Sequence, residues 1–360
     1  MLLLAALLLA SATGGWSQTY ERSKSVSRSF PANKGTEIQV LNKYGNITMI
    51  PWEKDSVRFE IMLTVKATKQ SKADNTFDFI DFDFKATQYY VIAQTVFQGE
   101  SDFWAELSDM TKSMFSSGQS TQIDYTVYFP ADAGVRVENK FGNIYTTDHL
   151  AKASFTLSNG DLRAHSFSDD AQIHLEFGSA TIEEMKRGKL NINYGDVTIG
   201  NGEFLEIESK SSEIAITSVN DLRINSKRDK LRLTTLGSLS GESSYTTLNI
   251  AEITGQMELK LFYGILDVNR ITNSSDYITL NSQYAEITLK PDLQVTCSVS
   301  LTYNERTQIT YPDTPVEKTE SVVNAEEKIK KVEFLLGPKQ GKSIPVTIRT
   351  NAGKITFKNK

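Results

Sequence analysis

The sequence predicts an all-β fold, a parallel β-helix or solenoid with about three short strands per 17–18 residue coil and a β-rich amino-terminal cap. Three observations point there: a turn motif recurring at a steady period, apolar–polar alternation on both sides of it, and apolar sites on three segments of each repeat. The stretch LNKYGNITM, Leu41 to Met49, returns as ENKFGNIYT, Glu138 to Thr146. Taking Gly142 as the turn position, the motif continues through Gly160, Gly178, Gly195, Ser212, Asp229, Thr246, Gly264 and Ala285, at intervals of 18, 18, 17, 17, 17, 17, 18 and 21 residues. A period this constant marks a stacked repeat architecture.

The side chains set the register. Two residues after the turn stand Ile144, Leu162, Ala180, Val197, Ile214, Leu231, Leu248, Leu266 and Ile287, and two further on the second apolar column runs from Ala164 to Leu289. Five residues before the turn come Phe155, Ile173, Leu190, Ile207, Ile224, Leu259 and Leu280, with Gly241 the exception. A third site, seven after the turn, holds Phe167, Met185, Val219, Leu236, Ile253 and Ile271, and is missed at Gly202. Between these columns lie polar ones, such as Thr156, His174, Asn191, Glu208, Asn225, Glu242, Lys260 and Asn281. Period-two alternation means short, half-buried strands. A single repeat cannot bury its own apolar edge, so each covers the one before it. Glycine recurs because the corner needs either a positive φ or close backbone approach.

The rest of the chain divides around this array. Residues 1–18, MLLLAALLLASATGGWSQ, read as a secretory signal peptide: an apolar run from Leu2 to Ala10, too short to span a bilayer, followed by small residues. No Lys or Arg precedes the run, so the expected translation start is a few residues upstream. Residues 19–130 carry one early echo at Gly45. Within them DSVRFEIMLTVKA, FIDFDFKAT, QYYVIAQTVF and STQIDYTVYFP read as longer strands of a β-rich module or cap. Gly99 to Gln119, with Phe103, Trp104, Met110, Met114 and Phe115, reads as a loop or short amphipathic helix whose apolar residues pack on the cap or form an exposed patch. Repeats occupy 131–310, a charged and proline-containing surface excursion 311–345, and 346–360, with TNAGKITF, the final coil.

Candidate chemistry is sparse. The net charge of −5 gives no nucleic-acid footprint. Cys297 is the only cysteine and sits on the apolar side of LQVTCSVSL, so it reads as a small buried residue, with no disulfide or cysteine zinc site. His149, His165 and His174 are not spaced as a metal set and read as surface histidines. Asp81 and Asp83 share one strand face opposite Phe82 and Phe84, an exposed acidic face. Stacking places Asp196 near Glu213, and Glu208 two repeats from Glu242, but Lys230 and Asn225 continue those columns, as a solvated ladder would. No phosphate loop, nucleophile elbow or zinc motif is present, so no cofactor, metal or catalytic residue is expected. Aromatics stand immediately before the turn, at Phe141, Phe177, Tyr194, Tyr245, Tyr263 and Tyr284. Facing outward they would form a stripe on which sugars stack, with Tyr245, Tyr263 and Tyr284 as candidate binding residues; facing inward, the favoured reading, they would pack the corner.

The repeats NKFGNIY, LSNGDL, LEFGSATI, INYGDVTI, GESSYTTLNI and NSQYAEITL, with the amino-terminal NKYGNITMIPWEKDSVRFEI, resemble the bacterial putative-adhesin family of unknown function common in Bacteroidetes. The resemblance implies an exported right-handed β-solenoid and carries no catalytic residues. Ser212, Asp229 and Thr246 depart from its glycine turn. The expected function is a non-catalytic solenoid that binds or scaffolds at the cell envelope, in the periplasm or on the cell surface. Its partner would be an extended glycan or envelope protein, with no nucleic acid and no transmembrane segment in the mature chain. The alternatives are a polysaccharide lyase or glycoside hydrolase on a β-helix, and a structural envelope spacer.

Overall fold

The computed structural model describes residues 19–98, 119–312, 317–338 and 343–358. The expected signal peptide and nearly all of the Gly99 to Gln119 segment lie outside the described residues. The described chain is all-β, with one helix, Gln70–Phe79, and its strands join a long unclosed sheet in which parallel pairing dominates.

The register is the one the periodicity predicts. Ile144 pairs with Leu162, Leu162 with Ala180, Ala180 with Val197, and so on through Ile214, Leu231, Leu248, Leu266 and Ile287. Phe155, Ile173, Leu190, Ile207 and Ile224 pair in the same way, and Gly241 sits in register between Ile224 and Leu259. These columns form one continuous apolar core.

In the 17-residue repeat Gly195 to Ser212 the alternation is interrupted three times by a pair of consecutive non-buried residues: Gly200 and Asn201, Glu203 and Phe204, and Lys210 and Ser211. Each pair shifts the phase of the alternation so that the residues on both sides of it remain buried. The extra residue of an 18-residue repeat enters at one of these interruptions, where the pairing slips between Phe167 and Asp170.

The turn at the glycine position is built from two residues with different duties. Positive φ falls on the residue before it: Tyr44, Phe141, Asn159, Phe177, Tyr194, Ser211, Arg228, Tyr245, Tyr263 and Tyr284 all lie at φ between 50° and 66°. That residue donates its N–H to a carbonyl of the next repeat, as Tyr194 does to Lys210 (3.0 Å) and Arg228 to Ser244 (2.9 Å). Glycine follows because of close approach: a Cβ on Gly142 would lie 2.0 Å from the Gly45 carbonyl oxygen, and one on Gly160 2.1 Å from that of Gly142.

Where glycine gives way, buried polar side chains take over the corner. The N–H of Gly195 donates to Ser212 Oγ (3.3 Å), that of Ser212 to Asp229 Oδ1 (2.7 Å), and that of Asp229 to Thr246 Oγ1 (3.2 Å). Asp229, 2% exposed, also accepts from Ser209 Oγ (2.7 Å), Ser226 Oγ (2.6 Å) and the Lys227 N–H (2.9 Å) through Oδ2. Four donors satisfy a carboxylate that would otherwise be costly to bury.

Both ends depart from simple chain order. Strand Glu37–Lys43 lies between Tyr90–Phe97 and Gly134–Lys140, parallel to both. Ile47–Trp52 likewise lies between Gln119–Pro130 and Ile144–Thr146. The Gly45 repeat is thus inserted between later segments. Beyond it the sheet turns antiparallel, with Ile80–Ala86 on one side and Ser56–Ala67 and then Tyr20–Pro31 on the other. The helix, not expected from the sequence, is held by Arg22, which reaches Asp74 at 3.0 Å and lies over Phe77 at 4.1 Å.

At the other end, Ser343–Thr350 and Gly353–Phe357 were expected to form the final coil. Instead they insert between Ile278–Gln283 with Ala285–Pro291 and Thr296–Asn304 with Thr307–Thr310. The expected excursion is also part of the sheet: Lys318–Asn324 and Ile329–Leu336 form an antiparallel hairpin whose second strand pairs with Thr296–Asn304. An inward edge with unpaired amides on both sides recruits whichever segment can complete it, and chain order does not determine which one does.

Replacing Asp229 by Ala should lower unfolding stability by about 3 kcal/mol or more, because several buried donors lose their acceptor at once. Asp229→Thr should lose much less, since Thr246 already fills the same corner in the next repeat; equilibrium denaturation of the two variants measures the difference.

Candidate functional site

The residues that precede the turn project from the corner. Phe141, Phe177, Tyr194, Tyr245, Tyr263 and Tyr284 are all exposed, Tyr245 at 57%. This corrects the inward packing favoured from the sequence. The cause is the left-handed residue itself: alternation carried straight through the corner would turn it inward, but the positive φ reverses the phase, so it and its predecessor both face solvent.

Stacking of repeats then stacks rings. Tyr245 and Tyr263 have centroids 5.1 Å apart and planes 5° apart; Tyr263 and Tyr284 follow at 4.9 Å and 9°. Phe177 and Tyr194 make a second stack at 5.1 Å and 6°, and Tyr44 with Phe141 a third at 5.4 Å and 4°. The spacing is close to the distance between neighbouring strands, ~4.8 Å. Asn159 separates the Tyr44–Phe141 stack from that of Phe177 and Tyr194, and Ser211 and Arg228 separate the latter from the tyrosine triplet. Together the rings make an interrupted column of face-to-face stacks along one corner, with their edges toward solvent.

The candidate carboxylates behave differently. Asp196 and Glu213 are register partners, but Glu213 is in contact with the Arg232 guanidinium, which holds its carboxyl below the usual carboxylate range. Glu208 and Glu242 are separated by Asn225, and Glu242 bonds Lys260 at 2.6 Å. Among the described residues no three His, Cys, Asp or Glu gather in a way that could hold a metal ion. Asp81 and Asp83 face Lys24 (3.7 Å) and Lys85 (3.4 Å). Cys297 is fully buried, and burial pushes its thiol up to about 12, so it is inert as a nucleophile.

The histidines divide. His165 is exposed and bonds Asp148 through Nδ1 at 2.6 Å, which raises its affinity for a proton. His174 is half-buried on the polar column. His149 overturns the surface expectation. It is 1% exposed, stacked between Phe129 (5.4 Å) and Phe167 (5.3 Å), with Nε2 2.6 Å from Thr146 Oγ1. Burial holds its imidazole down at about 4, only weakly countered by Asp148. It occupies the third apolar site of its repeat, one position upstream of Phe167 in the column, so its inward place was legible from the period.

No family model matches the chain, and no curated protein matches it. Solved structures do. A putative cell adhesion protein from Clostridium sporogenes ATCC 15579 is 10% identical, over 95% of this chain and 100% of that one, at a TM-score of 0.21. A putative adhesin from Bacteroides fragilis NCTC 9343 is 11% identical over 93% and 97%, with a TM-score of 0.21. A putative adhesin from Parabacteroides distasonis ATCC 8503 is 9% identical over the same shares, with a TM-score of 0.27. Among the described residues no helix is long and apolar enough to cross a membrane.

Two measurements test this description. Native His149 stays neutral down to about 4 while the unfolded residue takes a proton near 6.5, so stability is complete above that value and falls as pH drops from 6.5 to 4, by about 3 kcal/mol. His149→Phe should flatten that part of the stability–pH profile. In the aromatic column, Tyr263→Asn should change stability by less than about 1 kcal/mol in denaturant titration, because lost stacking is offset by a residue better suited to left-handed φ.

Proposed function

We propose that the repeats close into a right-handed, three-sided β-helix, and that the protein is an exported, non-catalytic solenoid acting at the cell envelope as an adhesin-like binder of extended glycans. The binding surface in this reading is the corner column, with Tyr245, Tyr263 and Tyr284 as its main platform. One observation carries it: three exposed rings lie parallel at 4.9 and 5.1 Å, on a backbone that positions them without help from the core. The stacked rings present their outer edges to solvent and an open face at each end of the stack; the apolar C–H groups of sugar rings pack against such edges, and a linear ligand can contact several rings in succession.

Closure is supported by the three interruptions of alternation seen in the Gly195 to Ser212 repeat, which allow three changes of direction per 17 or 18 residues. Export is supported by the apolar leader and the small residues after it. The adhesin role follows the resemblance of the repeats, in the periplasm or on the cell surface.

The test is a glycan array with the mature protein, with cleavage of the same glycans assayed in parallel. Binding without cleavage is expected, reduced tenfold or more, roughly, in a Tyr245→Asn, Tyr263→Asn, Tyr284→Asn variant whose melting is unchanged. Cleavage lost in Asp196→Asn or Glu213→Gln would replace this reading with that of a β-helical carbohydrate-active enzyme. Silence on both counts would leave the envelope spacer.

A further inference from the structure

We infer that the gap in the aromatic column is a cationic subsite, and that the extended ligand of this corner is an anionic polysaccharide bearing carboxylate or sulfate groups. The inference rests on the aromatic-platform reading and adds the chemical class of the glycan. Between Tyr194 and Tyr245 the column is occupied by Ser211 and Arg228, three steps of ~4.8 Å from ring to ring. Beside them stand Lys210 and Lys227, which are register partners, and Lys230 follows the same turn. Lys227, Arg228 and Lys230 are exposed, and the Lys210 ammonium lies 5.6 Å from the centre of the Tyr194 ring.

What sets this cluster apart is that its cations gather at one turn on adjacent repeats without a close carboxylate. Many other cations of the array meet a carboxylate from a neighbouring repeat: Arg187 with Asp169 and Asp170, Lys189 with Glu206, Arg232 with Glu213, Lys260 with Glu242, Arg270 with Glu252 and Asp292; isolated ones such as Arg163, Lys186 and Arg223 do not. Among the described residues, Lys227, Arg228 and Lys230 have no carboxylate within ion-pairing distance, though Lys230 is the register partner of Glu213 and helps to hold that carboxyl low, so Lys227 and Arg228 are the least compensated of the set. The nearest in sequence, Asp229, is buried, and its oxygens are taken by Ser209, Ser212, Ser226 and the Lys227 N–H, so it tempers the patch from beneath without pairing it. Like charges on directly opposed strand positions destabilise a sheet. Here Lys210 faces Lys227 with no such relief, on a chain whose net charge is −5.

A linear glycan stacked on Phe177 and Tyr194 at one end and on Tyr245, Tyr263 and Tyr284 at the other must cross this patch. A neutral chain would leave four cations facing uncharged hydroxyls; a chain with regular acidic groups would meet them with charge-assisted hydrogen bonds.

The experiment measures binding of the mature protein, at low ionic strength, to oligosaccharides of polygalacturonate (carboxylate), heparin (sulfate) and xylan (neutral). The expected result is tighter binding of one or both acidic ligands. That binding should weaken about tenfold or more with added salt and in a Lys227→Gln, Arg228→Gln, Lys230→Gln variant, while xylan binding stays as it was. Preference for polygalacturonate or for heparin assigns the acid. Equal binding of neutral and acidic ligands, unchanged in the lysine and arginine variant but lost in the tyrosine variant, overturns the inference and leaves the aromatic platform standing. Acidic binding that survives loss of the tyrosines but not of the cations supports the cationic subsite and removes the platform. Binding of single-stranded DNA as tight as that of the acidic glycans, or no binding of any ligand, overturns the inference.

Discussion

The corner at the recurrent turn is the constraint from which the other features follow. One backbone N–H from a residue in left-handed conformation must reach a carbonyl of the next repeat, while the following residue passes within contact of the previous one. Stacking at strand spacing leaves no room for a Cβ at Gly142 or Gly160, and it leaves the amides of each turn in need of acceptors. The N–H after the turn bonds the carbonyl of the previous turn residue in both kinds of corner, Asp196 to Gly178 and Lys230 to Ser212 alike. Where the stack relaxes, at Ser212, Asp229 and Thr246, a polar side chain points into the corner and bridges adjacent repeats. These departures from glycine are therefore a second solution to the same requirement, and they come as a consecutive set because each side chain accepts from the repeat before it.

The same corner explains which parts of the structure were legible in the sequence. The period gave the register of every apolar column, down to the place of Gly241 opposite Ile224 and Leu259, because inward residues must align for any repeat to bury its edge. Alternation failed at the corner itself. It predicts an inward Tyr245 or Tyr263, and one residue at positive φ reverses that phase; no property of a tyrosine side chain announces it. His149 departs from expectation for the opposite reason: its residue type suggests the surface, while its column position, which Phe167 and Met185 mark as interior, decides where it lies.

Chain order at the two ends was beyond reach of the pattern. The Gly45 repeat and the Gly353 repeat each carry the consensus alternation, and alternation is equally satisfied whether a repeat is terminal or is inserted between two others. The choice depends on what covers the outermost edge. At one end that is the antiparallel set Tyr20–Pro31, Ser56–Ala67 and Ile80–Ala86; at the other it is the hairpin of Lys318–Asn324 and Ile329–Leu336. Insertion has a physical consequence: the segments at 37–52 and 343–357 are held by parallel ladders on both sides, so neither end of the array can fray by simple peeling of its last repeat.

The aromatic identity of the corner is the feature that folding leaves unexplained. Asn159, Ser211 and Arg228 adopt the same left-handed conformation as the seven aromatic residues of the column, so the backbone does not require a ring there. Bulky residues are poorly suited to that region, at a cost on the order of 1–3 kcal/mol each, and asparagine would relieve much of it. Stacking returns roughly 0.5–1.5 kcal/mol per pair, which offsets the strain without exceeding it. The rings are exposed, so burial contributes little more. The rings repeat at a strained position, and the column continues through Asn159, Ser211 and Arg228 without them, so the fold by itself does not call for an aromatic residue there.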